Sequence, residues 1–85
     1  MKILITGSAG FIGFSLAELL LKKKINVTGI DNFDNYYSPK YKKKRNSILK
    51  KYKNFSFKKI DITSKKKVNF FFKKNNFDII FHFAA

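Results

Sequence analysis

A glycine-rich segment near the start of the chain has the residue types and spacing of a phosphate-binding turn. Gly7, Gly10 and Gly13 follow a short apolar run and open an apolar segment with helical periodicity. A glycine motif of this kind is informative where it connects a strand to a helix, as this order predicts. Glycines let the backbone approach a pyrophosphate, and the start of a helix supplies free N–H groups and positive dipole. The segment therefore predicts that residues 1–31 bind the diphosphate of a dinucleotide.

Asp31 is predicted to recognise a ribose of that dinucleotide. It ends the second predicted strand, after the glycine turn, where a carboxylate accepts hydrogen bonds from ribose hydroxyls and repels a 2′-phosphate. The glycine spacing, G-x-x-G-x-x-G, differs from the general G-x-G-x-x-G fingerprint, and either pattern alone is a weak signal. The alternative interpretation of Asp31 is an ordinary turn residue. Strand, turn, helix and spacing together favour a ribose-binding role and NAD over NADP.

A second acidic residue, Asp61, also ends a predicted strand. Ligands of open α/β sheets bind at the carboxyl edge of the strands, and Asp61 follows the third strand as Asp31 follows the second. We predict that Asp61 accepts a hydrogen bond from the adenine amino group while Ile62 packs on the ring. Asp78 lies at the opposite end of its strand and is interpreted as a turn residue.

Alternating apolar patterns predict the elements that position these residues. Strands are expected at 2–6, 25–30, 55–60 and 78–83, and helices at 11–23, 40–52 and 64–75. The first helix is predicted from Ile12, Leu16, Leu19 and Leu20, and the third from Val68, Phe71 and Phe72 with Thr63 or Ser64 as its N-cap. The phenylalanines at 70–72, 77, 81 and 83 are assigned to core and helix-to-sheet packing. The predicted fold class is α/β, a Rossmann-type parallel sheet with helices on both faces and strand order 3-2-1-4.

The composition excludes several kinds of site and leaves one other class of function open. The 85 residues contain no Cys and one His, so no disulfide, thiolate or His-rich metal site is expected. No apolar run reaches the roughly 18 residues of a membrane span, so we expect a cytoplasmic protein without a membrane partner. The net charge of +14 makes a basic nucleic-acid-binding module the alternative. The Tyr- and Lys-rich segment 36–53 is instead interpreted as a covering helix with a solvated basic face, without a specific nucleic-acid partner.

Four motifs in order along the chain resemble the extended short-chain dehydrogenase/reductase family. They are TGSAGFIG at 6–13, Asp31-Asn32, Asp61-Ile62 and HFAA at 82–85. The resemblance implies an NAD site in which Gly7, Gly10, Phe11, Ile12 and Gly13 lie along the pyrophosphate, Asp31 and Asn32 bind the adenosine ribose, Asp61 and Ile62 contact adenine, and the backbone of Ala84 and Ala85 lines the cofactor.

The segment DNFDNYY at 31–37, followed by a basic helix, is similar to nucleotide-sugar 4-epimerases and most like UDP-glucuronate 4-epimerases. That resemblance implies transient oxidation at the sugar C4 by bound NAD, with a Tyr phenolate beside a Lys taking the proton of the 4-hydroxyl. A homodimer of the full-length enzyme is compatible with it. Nucleotide-sugar 4,6-dehydratases and UDP-glucose 4-epimerases remain open alternatives.

The catalytic Tyr-x-x-x-Lys of that family is expected beyond position 85. The literal match from Tyr36 to Lys40 contains Pro39, which would break the helix that places Tyr and Lys on one face. Residues 1–85 are therefore expected to be the N-terminal part of a Rossmann domain, truncated after its fourth strand, whose apolar edge at 78–83 is bare. We expect a cofactor site without the catalytic residues or the nucleotide-sugar lobe, and whether the polypeptide is by itself an enzyme is left open.

Overall fold

Strands and helices alternate along the part of the chain that the structure, a computed structural model, describes: residues 1–32 and 39–83. They are β1 (Lys2–Thr6), α1 (Phe11–Lys22), β2 (Asn26–Asp31), α2 (Pro39–Lys50), β3 (Phe55–Lys59), α3 (Lys65–Lys74) and β4 (Ile79–His82). The predicted order of elements is confirmed. α2 begins at a proline, which suits the first helical position because no N–H is needed there. Within the described ranges, no helix is both long and apolar enough to span a bilayer.

The strands form a parallel sheet in the order β3-β2-β1-β4, which confirms the predicted topology. At the centre of the sheet, Ile5 of β1 pairs with Gly29 of β2 and with Phe81 of β4. Because all of these strands run in one direction, their carboxyl ends meet at one edge of the sheet. That edge is the place where open α/β sheets bind ligands.

Both faces of the sheet carry an apolar cluster. The cluster beneath α1 and α2 consists of Ile3, Ile5, Ala17, Leu21, Val27 and Leu49. The cluster beneath α3 consists of Leu4, Ile30 and Phe71. Neighbouring residues of β1 thus enter opposite clusters, as the alternation of side chains along a strand requires. A strand buried on both faces reads as a continuous apolar run, which is why β1 has the sequence KILIT.

α1 buries a different stripe from the one that its apolar pattern predicts. Ile12 and Leu19 are 64% and 53% exposed, whereas Gly13, Ala17 and Leu21 are buried. Two of these three residues are small, and they recur at the four-residue spacing of one helix face. The prediction of a helix is confirmed, but Ile12 and Leu19, two of the residues whose spacing indicated it, lie outside the buried stripe. The helix approaches the sheet through its small residues, and hydrophobicity alone does not identify that face.

α3 and β4 also leave apolar side chains in solvent. Phe71 is buried, but Phe70 and Phe72 are 61% and 38% exposed. Placing all three phenylalanines in the core was therefore wrong, because successive helical residues point in different directions and α3 meets the sheet along one stripe. Ile80 of β4, the last strand in the sheet order, is 51% exposed. Ser64 is the N-cap of α3 but makes no side-chain capping bond.

We expect Leu49→Ala to weaken the packing of α2 on the sheet, because Leu49 is fully buried at the end of an otherwise lysine-rich helix. The lost apolar contact and the cavity should lower the free energy of unfolding by about 2–5 kcal/mol, as measured by urea denaturation. Lys44→Ala, an exposed position of the same helix, should change it by less than about 0.5 kcal/mol. Equal effects of the two substitutions would show that α2 is not anchored through Leu49.

Candidate functional site

The turn between β1 and α1 is held by backbone hydrogen bonds at the carboxyl edge of the sheet. Gly7 has a φ of 76°, a left-handed conformation that glycine adopts without steric cost. Its N–H donates to the carbonyl oxygen of Ile30 at 2.8 Å, and the N–H of Gly10 donates to the carbonyl oxygen of Gly7 at 3.0 Å. The N–H of Phe14 then donates to the Gly10 carbonyl oxygen at 2.9 Å. The chain therefore reverses tightly and directs the N-terminus of α1 at this edge.

Gly13 allows α1 to pack directly on that turn. A Cβ atom at this position would overlap the carbonyl oxygen of Gly7 and would lie 2.9 Å from its carbonyl carbon. At Gly10, by contrast, a Cβ atom would meet the same oxygen at 3.2 Å, and the backbone there is extended, with φ −75°. The glycines thus have separate roles. Gly7 adopts a left-handed backbone conformation, and Gly13 lets the backbone of α1 approach the turn closely.

The N-terminus of α1 is left open to solvent. The N-cap Gly10 supplies no side-chain capping bond, and no acidic residue lies in the first turn. The first N–H groups of a helix have no acceptor within the helix, and the positive end of its dipole lies beside them. Phe11 and Ile12, which follow the cap, are 73% and 64% exposed. N–H donors, which can bind a phosphate group, and apolar surface, which can contact the rest of a larger ligand, therefore lie side by side.

Asp31 is buried at the same edge and connects the glycine turn to α2. Its side chain is 2% exposed; Oδ2 accepts a hydrogen bond from the Ala9 N–H at 3.1 Å, and Oδ1 lies 3.3 Å from Nζ of Lys42. Nη1 of Arg45 donates to the Ala9 carbonyl oxygen at 3.2 Å. Asn32, the next residue after Asp31, is half-buried. Both backbone groups of Ala9 are thus held by charged side chains, one from β2 and one from α2.

Lys42 and Arg45 are site residues that the sequence analysis missed. The segment that contains them was interpreted as a solvated basic face, yet both side chains contact the turn or Asp31. The interpretation holds for Lys43 and Lys44, which are exposed. A signal was available: Lys42 and Arg45 are three residues apart, so they share one face of a helix.

Asp61 lies at the edge as predicted, but it is exposed and engaged with its own turn. Its Oδ1 accepts hydrogen bonds from the Thr63 backbone N–H at 2.9 Å and from the Thr63 hydroxyl at 2.8 Å. These two bonds, with a smaller contribution from the charge of Lys67, hold the pKa of the Asp61 carboxyl below its ordinary value. Ile62 packs against the cluster beneath α3. Asp61 is therefore an ionised acceptor beside a partly buried apolar residue.

The carboxyl ends of β1 and β4 are joined through Thr6. Its Oγ1 lies 2.7 Å from Nδ1 of His82, and the N–H of Phe83 donates to both the carbonyl oxygen and Oγ1 of Thr6, at 3.0 and 3.1 Å. At the opposite edge of the sheet, Oδ2 of Asp78 accepts a hydrogen bond from the Lys2 backbone N–H at 2.7 Å, so this carboxylate connects the starts of β1 and β4. The predicted cofactor contacts at 84–85 and the segment 33–38 lie outside the described residues.

Comparison with known proteins gives a family match over almost the whole chain. The profile of the family described as GDP-mannose 4,6 dehydratase matches residues 4–85. A curated relative, the UDP-glucuronate 4-epimerase of Thermodesulfobacterium geofontis, is 40% identical over 82 residues, which are 96% of this chain and 25% of the relative. An uncharacterized protein of Methanocaldococcus jannaschii is 46% identical over 86 residues, 99% of this chain and 26% of that protein. The chain thus spans about a quarter of the length of these relatives.

Solved structures support the same relationship. The UDP-glucuronic acid 4-epimerase of Bacillus cereus, crystallised with UDP-glucuronic acid and NAD, superposes with a TM-score of 0.85 and is 35% identical; the match covers 100% of this chain and 26% of that one. The Bordetella bronchiseptica enzyme WbmH in complex with NAD+ superposes with a TM-score of 0.77 at 34% identity, covering 99% of this chain and 26% of that one. Both neighbours were therefore crystallised with the dinucleotide that the glycine turn and Asp31 predict.

Gly13→Ala is expected to destabilise the turn, because the added Cβ overlaps a backbone oxygen that cannot move independently. Overpacking of this kind costs about 1–3 kcal/mol, which should appear as a lower free energy of unfolding in urea in spite of the better helix propensity of alanine. Gly10→Ala is the matched control, since its Cβ needs a shift of only a few tenths of an ångström. The close-approach role of Gly13 is wrong if both variants unfold at the same urea concentration.

Thr63→Val should raise the pKa of Asp61 towards its ordinary value, because it removes the hydroxyl bond and leaves the backbone bond. The pKa in the folded protein is the lower one, so the interaction stabilises the fold at neutral pH, and this stability is lost as the pH falls through the folded-state pKa. Carbon-detected NMR titration of the Asp61 carboxyl measures the change, and Asp78 in the same spectrum is the control. An unchanged Asp61 midpoint would contradict the assignment.

Proposed function

Because the chain belongs to the GDP-mannose 4,6 dehydratase family, within the extended short-chain dehydrogenases/reductases, we propose that these residues bind NAD as the cofactor-binding part of a nucleotide-sugar 4-epimerase. The observation that carries the proposal is the buried carboxylate of Asp31 beside the uncapped N-terminus of α1. The carboxylate can accept hydrogen bonds from ribose hydroxyls, and the helix N-terminus can bind a phosphate. Both lie at the carboxyl edge of the sheet. A dinucleotide presents both groups.

The pyrophosphate is proposed to lie against the glycine turn. The backbone of Gly7, Gly10 and Gly13 lets it approach, and the open end of α1 offers N–H donors and positive dipole. Phe11 and Ile12 are exposed beside the turn, and the bound dinucleotide would cover their apolar surface. This accounts for two large apolar side chains in solvent beside the turn.

The adenosine half is proposed to lie across the ends of β2 and β3. Asp31 and Asn32 bind its ribose, and the negative charge of Asp31 disfavours the 2′-phosphate of NADP. Asp61, held in its ionised form, accepts a hydrogen bond from the adenine amino group, and Ile62 packs against the ring. Contacts of the backbone of Ala84 and Ala85 with the cofactor remain part of the proposal.

The reaction proposed for the whole enzyme is epimerisation at the sugar C4, and UDP-glucuronate is the substrate favoured by the relatives. Bound NAD supplies the hydride acceptor for transient oxidation of that carbon, and the residues of this chain hold and orient it. A nucleotide-sugar 4,6-dehydratase is the alternative, since the family profile carries that name. Both reactions begin with the same oxidation, so the cofactor site serves either one.

Turnover is not expected from the 85 residues alone. The Tyr-x-x-x-Lys match from Tyr36 to Lys40 contains Pro39, and Tyr36 lies outside the described residues. A proline at this position would break a helix that placed the tyrosine and the lysine one turn apart, so we assign the match no catalytic role. The proposal for this chain is accordingly cofactor binding.

Asp31→Asn tests the binding proposal by isothermal titration with NAD. The substitution keeps the size of the side chain but removes the charged acceptor of the ribose hydroxyls, so the dissociation constant should rise by about tenfold or more. Asp78→Asn is the control, because it removes one carboxylate at the opposite edge of the sheet. Saturable NAD binding by the unsubstituted chain that is insensitive to Asp31 would contradict the proposed ribose contact.

The same proteins distinguish the alternative of a nucleic-acid-binding module. A dominant electrostatic contact would give tight binding of labelled single-stranded DNA that weakens steeply between two salt concentrations and does not depend on Asp31. Such behaviour without any NAD binding would favour that module over the cofactor site.

A further inference from the structure

Lys42 differs from the other lysines around it. Its side chain is 17% exposed and its ammonium lies 3.3 Å from Oδ1 of Asp31, whereas Lys40, Lys43 and Lys44 of the same helix are exposed. A partly buried ammonium loses hydration and rotamer freedom, and the buried carboxylate beside it offsets that cost. Among the described lysines of α2, Lys42 is thus a cation held at the position proposed for the ribose.

Lys42 is placed by a helix that is anchored at several points. Arg45, one turn further along, donates to the Ala9 carbonyl oxygen at 3.2 Å, and its guanidinium lies 5.9 Å from the centre of the Phe11 ring. Leu49 is fully buried in the cluster beneath the helix. The position of the ammonium relative to Asp31 is therefore set by the packing of α2 on the turn and on the sheet.

A ribose hydroxyl matches this pair chemically. A hydroxyl both donates and accepts, a carboxylate only accepts, and an ammonium only donates. The 3.3 Å separation is longer than the about 2.7–2.9 Å of a strong charge-assisted bond, so Lys42 is held near Asp31 without being saturated by it. A hydroxyl at this place donates its hydrogen to Asp31 and accepts one from Lys42.

We propose that Lys42 is a specificity-determining residue of this site: it donates to the ribose hydroxyl that Asp31 accepts from, and it leaves the discrimination against a 2′-phosphate to the charge of Asp31. The proposal rests on the binding of NAD at Asp31 proposed above. With Asp31 ionised, its charge opposes the phosphate and offsets the attraction of Lys42. Once that charge is removed, Lys42 remains as a cation beside the position proposed for the ribose, and a cation of this kind binds phosphate.

The test is a double-substitution cycle in the 85-residue chain, read by isothermal titration with NAD and with NADP. The proteins are the unsubstituted chain, Lys42→Gln, Asp31→Asn, the double variant, and Lys43→Gln as the matched control that removes an exposed charge one residue along the same helix. Thermal unfolding of each variant verifies that it is folded. Lys42→Arg is added because it retains the donor and the charge.

The unsubstituted chain is expected to prefer NAD. Lys42→Gln should raise the NAD dissociation constant by about tenfold, the usual effect of losing a hydrogen bond to a charged group, with Lys42→Arg restoring most of the affinity and Lys43→Gln having no effect. Asp31→Asn should reverse the preference in favour of NADP by about tenfold or more. The double variant should lose that gain, because the cation that binds the phosphate is gone.

Two outcomes overturn the inference, and they are distinguishable. If the unsubstituted chain binds NAD but Lys42→Gln behaves like Lys43→Gln towards both dinucleotides, the role of Lys42 is wrong and the proposed NAD site stands. If the unsubstituted chain binds neither dinucleotide, the proposed function fails and this inference fails with it. The Lys42→Gln comparison retains Asp31 and its bond to Ala9, so it decides the question even if Asp31→Asn does not fold.

Discussion

The site depends above all on one buried carboxylate. Asp31 accepts a hydrogen bond from the Ala9 N–H through Oδ2 and lies against the Lys42 ammonium through Oδ1, so a single side chain at the end of β2 connects the glycine turn to α2. A buried charge is costly unless it is paired and hydrogen-bonded, and here both conditions are met. The groups that stabilise Asp31 in the fold are thus the ones proposed to lie beside the ribose.

The rest of the fold fixes the position of this carboxylate relative to the turn. The parallel sheet brings the carboxyl ends of its strands to one edge, and clusters on both faces prevent the strands from sliding. Gly13 brings α1 into contact with the turn, and Leu49 holds α2 against the sheet. Small and buried residues therefore determine the geometry, while the many lysines cover the surface. The +14 charge characterises that surface more than the site.

Local chemistry made much of the fold and of the site predictable. Apolar runs and helical periodicity predicted the order of elements, and the chirality of crossovers then predicted the strand order. Gly7 was predictable because a left-handed turn favours glycine, and Asp31 because it ends a strand after such a turn. The stripe that α1 buries was not predictable from hydrophobicity, because close packing selected Gly13 and Ala17 over the larger Ile12 and Leu19.

By itself, the sequence determined the fold class, the family and the positions at which a cofactor contact is proposed, because turns, strand ends and periodicity are properties of neighbouring residues. Only the tertiary structure decided which of the basic residues belong to the site. Lys42 and Lys43 are adjacent and chemically identical, yet one lies against Asp31 and the other is exposed. The difference arises from the rotation at which α2 packs on the turn, and that rotation is set by Arg45 and Leu49 through contacts between residues distant in the chain.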